Sequence, residues 1–283
     1  MPPDSTPAGT PRLRLNQGNE IPMLGLGVYL SPPGPETQQA VAWALELGYR
    51  HIDTAALYEN ESDVGAAVRS SGIPREEVFI TTKLWHTDHG FESSQRAARA
   101  SLDRLGTSYV DLYLIHSPRA SAPQDRLDSW RGLEKLQREG LCRAIGVSNY
   151  SIRHLEELRE ASDVTPAVNQ VEFHPFVFDP ELVAYCERLG IKLEAWAPLT
   201  RGRRFEDPTV RAIATAHHRT SAQILLRWGI EHGLIEIPKS VRRDRIEENS
   251  RIFDFRLSAV EVARLDALRG GGRVSQWNPS ELP

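Results

Sequence analysis

A rhythm of short apolar runs alternating with amphipathic stretches, repeating about every 25 to 40 residues, constrains this chain most, because it is the pattern of parallel β/α units. The apolar runs at residues 24–27, 50–53, 78–82, 110–116, 144–148, 167–171, 192–196 and 235–238 read as strands. Between them the helical period predicts helices over 36–47, 92–105, 128–139, 152–160 and 180–189, and a longer helical region over 209–232. Eight strands, each followed by helical sequence, fit a closed α/β architecture, the (β/α)8 TIM barrel, better than an open doubly wound sheet. A hairpin is predicted before the first unit, with strands at 13–15 and 21–23 around the polar turn Asn16-Gln17-Gly18-Asn19. After the last unit come helices at 244–251 and 258–268, then a glycine-rich loop whose Trp277 offers apolar surface to cover part of a pocket.

Residues 1–12 read as a disordered tail and 13–283 as one barrel domain, with no shift in composition to divide it. A hydrophobic content of 40% supplies a sizeable core, and a net charge of −4 gives no general attraction to nucleic acid or anionic membranes. Small-molecule chemistry is therefore the expectation. The N-terminus lacks the basic and apolar regions of a secretion signal, and no run of eighteen apolar residues occurs, so a cytoplasmic protein is expected. Cys142 and Cys186 stand in apolar periodic segments, where packing is the expected role. His86, His89, His217 and His218 lack the cysteine or carboxylate spacing of a metal site, and no metal is expected.

In a barrel of this kind chemistry sits at the C-terminal ends of the strands. There the sequence places Asp53, Lys83, His116, Ser148-Asn149, Gln170, Trp196 and Lys239-Ser240. Singly, each has an ordinary explanation as a cap, a solvated cation or a packed side chain. Together they ask for another, since packing gives no reason to finish nearly every strand with a hydrogen-bonding group. Lysine is scarce here, at 83, 135, 192 and 239, against thirty arginines, and two of the four terminate strands. Retaining lysine at such positions suits a compact ammonium, which guanidinium cannot imitate.

Several runs resemble the aldo-keto reductase family: Gly48 to Glu61, Thr82-Lys83-Leu84-Trp85, Tyr109 to His116, Ile145 to Tyr150, Asn169 to Pro175, and Ile237-Pro238-Lys239-Ser240. They occur in family order over almost the whole chain, and their flavour resembles the bacterial diketogluconate-reductase branch. The resemblance implies a catalytic tetrad of Asp53, Tyr58, Lys83 and His116, an NADPH cofactor and a small-molecule carbonyl substrate, in a protein that is by family default a monomer. In that scheme Tyr58 gives a proton to the carbonyl oxygen, Lys83 stabilises the phenolate, Asp53 keeps Lys83 charged and oriented, and His116 polarises the carbonyl. A cofactor-binding regulatory barrel with little turnover is the alternative from the same family; all four tetrad positions being present favours the enzyme.

Gly25-Leu26-Gly27 is not a Rossmann fingerprint, because Leu30 stands where its third glycine belongs. The resemblance instead implies that Ser148, Asn149 and Gln170 bond the nicotinamide carboxamide and that Trp196 stacks on its ring. Gly27 and Val28 fall at family cofactor positions as well. Lys239, Ser240, Val241, Arg242 and Arg245, at the last strand's exit into a helix, form a candidate cage for the adenosine 2′-phosphate, with Glu248 and Asn249 at adenine positions. Cations at a helix start oppose its dipole and call for an anion. Tyr29 and Trp85 stand at pocket positions, whereas Ser117 occupies the place of the usual family Trp. That exchange predicts a wider or wetter pocket unless Trp130 or Trp277 fills the space.

Overall fold

The computed structural model of the chain describes residues 10–275, 278 and 282, so Trp277 lies outside the described residues. The chain opens on an antiparallel hairpin, β1 (Arg12–Arg14) and β2 (Glu20–Pro22), with Leu13 opposite Ile21. Eight parallel strands follow: β3 (Leu26–Gly27), β4 (His51–Asp53), β5 (Phe79–Leu84), β6 (Val110–Ile115), β7 (Cys142–Ser148), β8 (Val168–Glu172), β9 (Lys192–Trp196) and β10 (Ile235–Glu236). Each pairs with the next in chain order. The ring closes where the last strand meets the first: Glu236 N donates to Met23 O and Gly25 N to Glu236 O, both at 2.8 Å. Gly27 stands at this seam for a steric reason, since a Cβ there would lie 2.8 Å from Ile237 O.

The connecting helices are α1 (Pro35–Glu46), α2 (Glu61–Ser70), α3 (Phe91–Leu105), α4 (Pro123–Arg138), α5 (Ile152–Ala161), α6 (Pro180–Arg188), α7 (Pro208–His217) and α8 (Ser221–Glu231). Two more, α9 (Arg243–Ser250) and α10 (Ala259–Asp266), follow β10. Three differences from the sequence reading have physical causes. The continuous region expected over 209–232 is two helices, because His218 turns to φ 52° and Thr220 caps α8 by accepting from Gln223 N at 3.2 Å. Helix α2 has no counterpart in the reading, since its acidic start looks like a solvated loop. Those acids are in fact buried: Glu61 accepts from Thr82 Oγ1 and Arg104, and Asp63 from Gly34 N and Gln38. Helix α4 begins at Pro123 rather than 128, with Asp125 accepting from Ala122 N at its first turn.

Strand parity sorts side chains between two cores. Outward residues such as Ile52, Ile80, Tyr113, Ile145 and Leu193 pack beneath the helices. Inward residues Phe79, Leu112, Leu114, Ala144, Val168 and Ile235 join Leu15 and Ile21 of the hairpin region. The hairpin thus stoppers the N-terminal end. Its turn is stitched down by Gln17, which donates to Thr165 O at 2.8 Å and accepts from Ile145 N at 2.9 Å. Continuing the same parity upward places Asp53, Lys83, His116, Ser148, Gln170, Glu194 and Trp196 on the inner side, toward the open end. Cys142 and Cys186 are free and buried. No helix among the described residues is long and apolar enough to cross a membrane.

Candidate active site

Lys83 lies inside β5, not beyond its end as the sequence suggested, and is wholly buried. Its ammonium donates to Asp53 Oδ1 at 2.7 Å, to Thr54 O at 2.9 Å and to Tyr58 Oη at 3.3 Å. Three acceptors use all three of its protons. Burial works against charge on Lys83, but Asp53 and Tyr58 beside it outweigh that and raise its pKa, so the ammonium form persists. Burial pushes the Asp53 carboxyl up while Lys83 pulls it down, and the 2.7 Å contact holds the two as an ion pair.

Tyr58 closes a 3-10 turn, Ala56–Tyr58, ended by Glu59 in the left-handed region at φ 57°. The turn is fixed from behind by Asn60, a residue the sequence reading passed over. Its Oδ1 accepts from Thr54 Oγ1 at 2.8 Å and its Nδ2 donates to Val28 O and Ser31 O. One side chain thereby ties the Tyr58 turn, the end of β4 and the loop after β3 together; Val28 N also donates to Asp53 O at 3.0 Å. Burial drives the phenol up to about 12 even though Lys83 pulls it down. The anion stabilisation expected from Lys83 is therefore present but smaller than the desolvation it opposes.

His116 stands edge-on to Tyr58, with ring centres 5.6 Å apart, and to Trp85 at 5.0 Å. Burial, then Lys83, then His86 hold it well below the usual imidazole range, so it is neutral. Tyr29 lies 5.0 Å from Tyr58 and His86 stacks on Trp85 at 4.3 Å, which makes His86 a wall of the site that the sequence reading set aside. Ser117 is buried and its hydroxyl is turned to the backbone, accepting from Arg119 N at 3.0 Å. Trp130 does not fill the space of the missing Trp: it is buried in α4 and donates to Ser162 Oγ.

Across the mouth, Ser148, Asn149, Gln170 and Trp196 form one network. Ser148 Oγ donates to Gln170 O at 2.8 Å, and Asn149 Nδ2 donates to Ser148 Oγ and to His116 O. Trp196 Nε1 donates to Asn149 Oδ1 at 2.9 Å, which fixes the indole, while Asn149 itself sits at φ 66°. Both protons of the Gln170 amide are used, on Asp53 and on Glu194. What the network keeps in reserve is acceptor capacity on Ser148 Oγ, Asn149 Oδ1 and Gln170 Oε1, which suits an incoming NH2 group.

The predicted phosphate cage is gathered only in part. Ser240 accepts from Arg242 N at 3.1 Å, so it orders the loop into α9, and Arg242 pairs with Asp244 at 2.5 Å, which blunts its charge. Arg245 makes no ion pair among the described residues, and burial lowers the pKa of Lys239. Val241 packs on the core, Asn249 is buried on α9, and Glu248 accepts from Thr220 Oγ1 at 3.0 Å. After β9, Ala197, Thr200 and Arg201 all adopt φ near +52°, a backbone twist that no sequence signal announced. Among the described residues no group of three His, Cys, Asp or Glu is placed to hold a metal ion.

The family model of the aldo/keto reductase family matches residues 24–269. The chain belongs to the aldo/keto reductase family. A glyoxal reductase of Bacillus subtilis strain 168 is 47% identical over 270 residues, spanning 95% of this chain and 96% of that protein. Among solved structures, an aldo/keto reductase from Brucella melitensis shares 47% identity with a TM-score of 0.88, covering 92% of this chain and 99% of that one. A Bombyx mori aldo-keto reductase solved in complex with NADP shares 39% identity at a TM-score of 0.89, covering 95% and 96%. None of these three proteins carries the diketogluconate name of the branch that the motifs suggested.

Proposed function

We propose that this aldo/keto reductase reduces the carbonyl of an aldehyde, ketone or dicarbonyl with NADPH, and that Tyr58 supplies the proton. The observation that carries the reading is the placement of the Lys83 ammonium between Asp53 and Tyr58, at 2.7 and 3.3 Å. A buried ion pair that merely held the barrel together would need neither a phenol on one side nor a neutral imidazole across from it. The glyoxal reductase name of the Bacillus relative and the NADP of the Bombyx structure support the substrate class and the cofactor.

The residues present fit the cofactor. Lys239 is partly desolvated and Arg245 has no counter-charge among the described residues, so an anion at the start of α9 would answer both; the acceptors of Ser148, Asn149 and Gln170 suit a carboxamide NH2, and the fixed Trp196 indole gives a stacking face. NADPH supplies the hydride that no side chain can deliver. The protein's share is proton chemistry. Neutral His116 donates a hydrogen bond that holds and polarises the carbonyl oxygen near Tyr58. As that oxygen becomes an alkoxide, its conjugate acid is about as weak as water, so a phenol at about 12 still protonates it downhill. Lys83 then faces the phenolate and stabilises it. The resting phenol thus needs no unusual acidity.

The test is absorbance loss of NADPH with a panel of aldehydes, ketones and dicarbonyls, comparing the native chain with Tyr58→Phe. Turnover of at least one carbonyl by the native chain, reduced about a hundredfold or more by the substitution, is the expected result. Equal rates would remove Tyr58 from its role, and no turnover with tight NADPH binding would favour the regulatory barrel.

A further inference from the structure

Beneath the tetrad the barrel holds a second inward carboxyl that the proton transfer just described does not use. Glu194 of β9 is wholly buried, and its Oε2 accepts one proton of the Gln170 amide at 2.8 Å while Asp53 Oδ2 accepts the other at 2.8 Å. A single nitrogen therefore ties the anion of the tetrad to Glu194. Asp53 and His51 from β4 and Lys83 from β5 face it across the barrel and Gln170 from the adjoining β8, while Glu236 lies on the outward side of the adjoining β10.

Within this set there is one ammonium for two inward carboxyls, and it is bonded to Asp53. His51 adds no charge, because burial lowers it to about 3, and its Nε2 lies 3.1 Å from Thr81 Oγ1. Glu194 Oε1 is buried without a hydrogen-bond partner among the described residues, and His51 Nε2 lies 3.5 Å from it. A bare carboxylate oxygen in such a place is costly, whereas a carboxylic acid O–H directed at a neutral imidazole is not.

We propose that Glu194 is a positioning residue that acts through Gln170: as a neutral acid it shares the Gln170 amide with Asp53 and leaves Lys83 to Asp53 and Tyr58, and its loss of a proton to solvent ends efficient reduction at alkaline pH. The proposal rests on Tyr58 being the proton donor. Burial, and then the charge of Asp53, raise Glu194 to about 8. Once ionised, it adds a second anion near the one ammonium and Asp53, so less of the Lys83 charge is left for the developing phenolate and proton donation by Tyr58 becomes harder. Tyr58 alone, at about 12, would let reduction continue well above that pH.

Two measurements test this. The first is kcat/KM for the best carbonyl substrate between about pH 6 and 10 in the native chain, Glu194→Gln and Glu194→Met. A fall centred near pH 8 in the native chain, absent from both variants, is the expected result; the same fall in Glu194→Gln would overturn the proposal. The second needs neither cofactor nor turnover: infrared titration of the protein alone, in a Glu236→Gln background that removes a second carboxyl raised well above the ordinary range. An un-ionised carboxylic acid band that titrates near pH 8 and vanishes in Glu194→Gln supports the proposal, and its absence from the native position refutes it, whatever becomes of the reductase reading.

Discussion

The ammonium of Lys83 meets Tyr58 twice, donating to the phenol oxygen across 3.3 Å and lying 4.9 Å from the centre of its ring. Replacing it with an uncharged side chain of similar reach removes the one cation that opposes desolvation of the phenolate. Lys83→Met is expected to lower kcat about 10²- to 10⁴-fold with little change in the Kd for NADPH, measured by single-turnover kinetics and fluorescence titration. Lys83→Arg is not expected to rescue it, because a planar fork cannot reach three acceptors arranged around a point charge.

Arg245→Ala tests the phosphate assignment. Removal of a charge-assisted contact is expected to weaken NADPH about 10- to 100-fold and to leave NADH nearly unchanged. Equal losses for the two nucleotides would place the 2′-phosphate elsewhere.

Asn60 connects three backbone segments behind Tyr58 without touching the reacting atoms. Asn60→Ala removes a donor from Val28 O and Ser31 O and an acceptor from Thr54 Oγ1, so a stability loss of about 1–3 kcal/mol is expected in chemical denaturation. Because the turn that carries Tyr58 loosens, kcat should fall by more than the unfolded fraction explains. Activity that merely tracks the folded fraction would make Asn60 a stability residue alone.

At the opposite end of the barrel Gln17 has the contrary profile. Gln17→Ala removes its bonds to Thr165 O and Ile145 N and is expected to cost about 1–3 kcal/mol, while kcat/KM of the folded protein stays as it was.

Glu236 is buried against α8, where a Cβ on Gly229 would overlap its carboxyl, and its Oε2 has no partner. Burial, then Glu194, push its pKa well above the ordinary carboxyl range. The folded state thus binds this proton more tightly than the unfolded chain, whose value is about 4.3; the contribution is full below that value and is lost as pH rises toward the folded pKa. Glu236→Gln is therefore expected to stabilise the protein by an amount that grows from pH 5 to pH 8, by up to about 1.4 kcal/mol per unit, seen as a widening gap in Tm. A gap that does not change with pH would mean that Glu236 is ionised when folded.

The sequence made the barrel legible because parallel strands buried on both sides write continuous apolar runs, and polar residues ending those runs stand out. Asp53, Lys83 and His116 stand out on that ground, Tyr58 joins them only through the family resemblance, and the structure brings the four together. Elsewhere tertiary context overrode the local signal. Glu61 and Asp63 look solvated yet are satisfied by Thr82, Arg104, Gly34 and Gln38, so α2 was hidden. His218 and Thr220 break a helical period without glycine or proline. Glu194 and Glu236 read as ordinary strand polarity, because nothing in one dimension tells an inward carboxyl from a solvated one. Arg242 counted as a free cation until Asp244 was seen beside it.

The hairpin and the apolar floor of Leu15, Ile21, Phe79, Leu112 and Leu114 make the barrel a vessel with one mouth. In the proposed reaction a phenol that has given up its proton inside that mouth is resupplied from the side on which the product sits. Recharging Tyr58 on this scheme waits on departure of the alcohol, and the order of these two events is set by a stopper at the far end of the molecule.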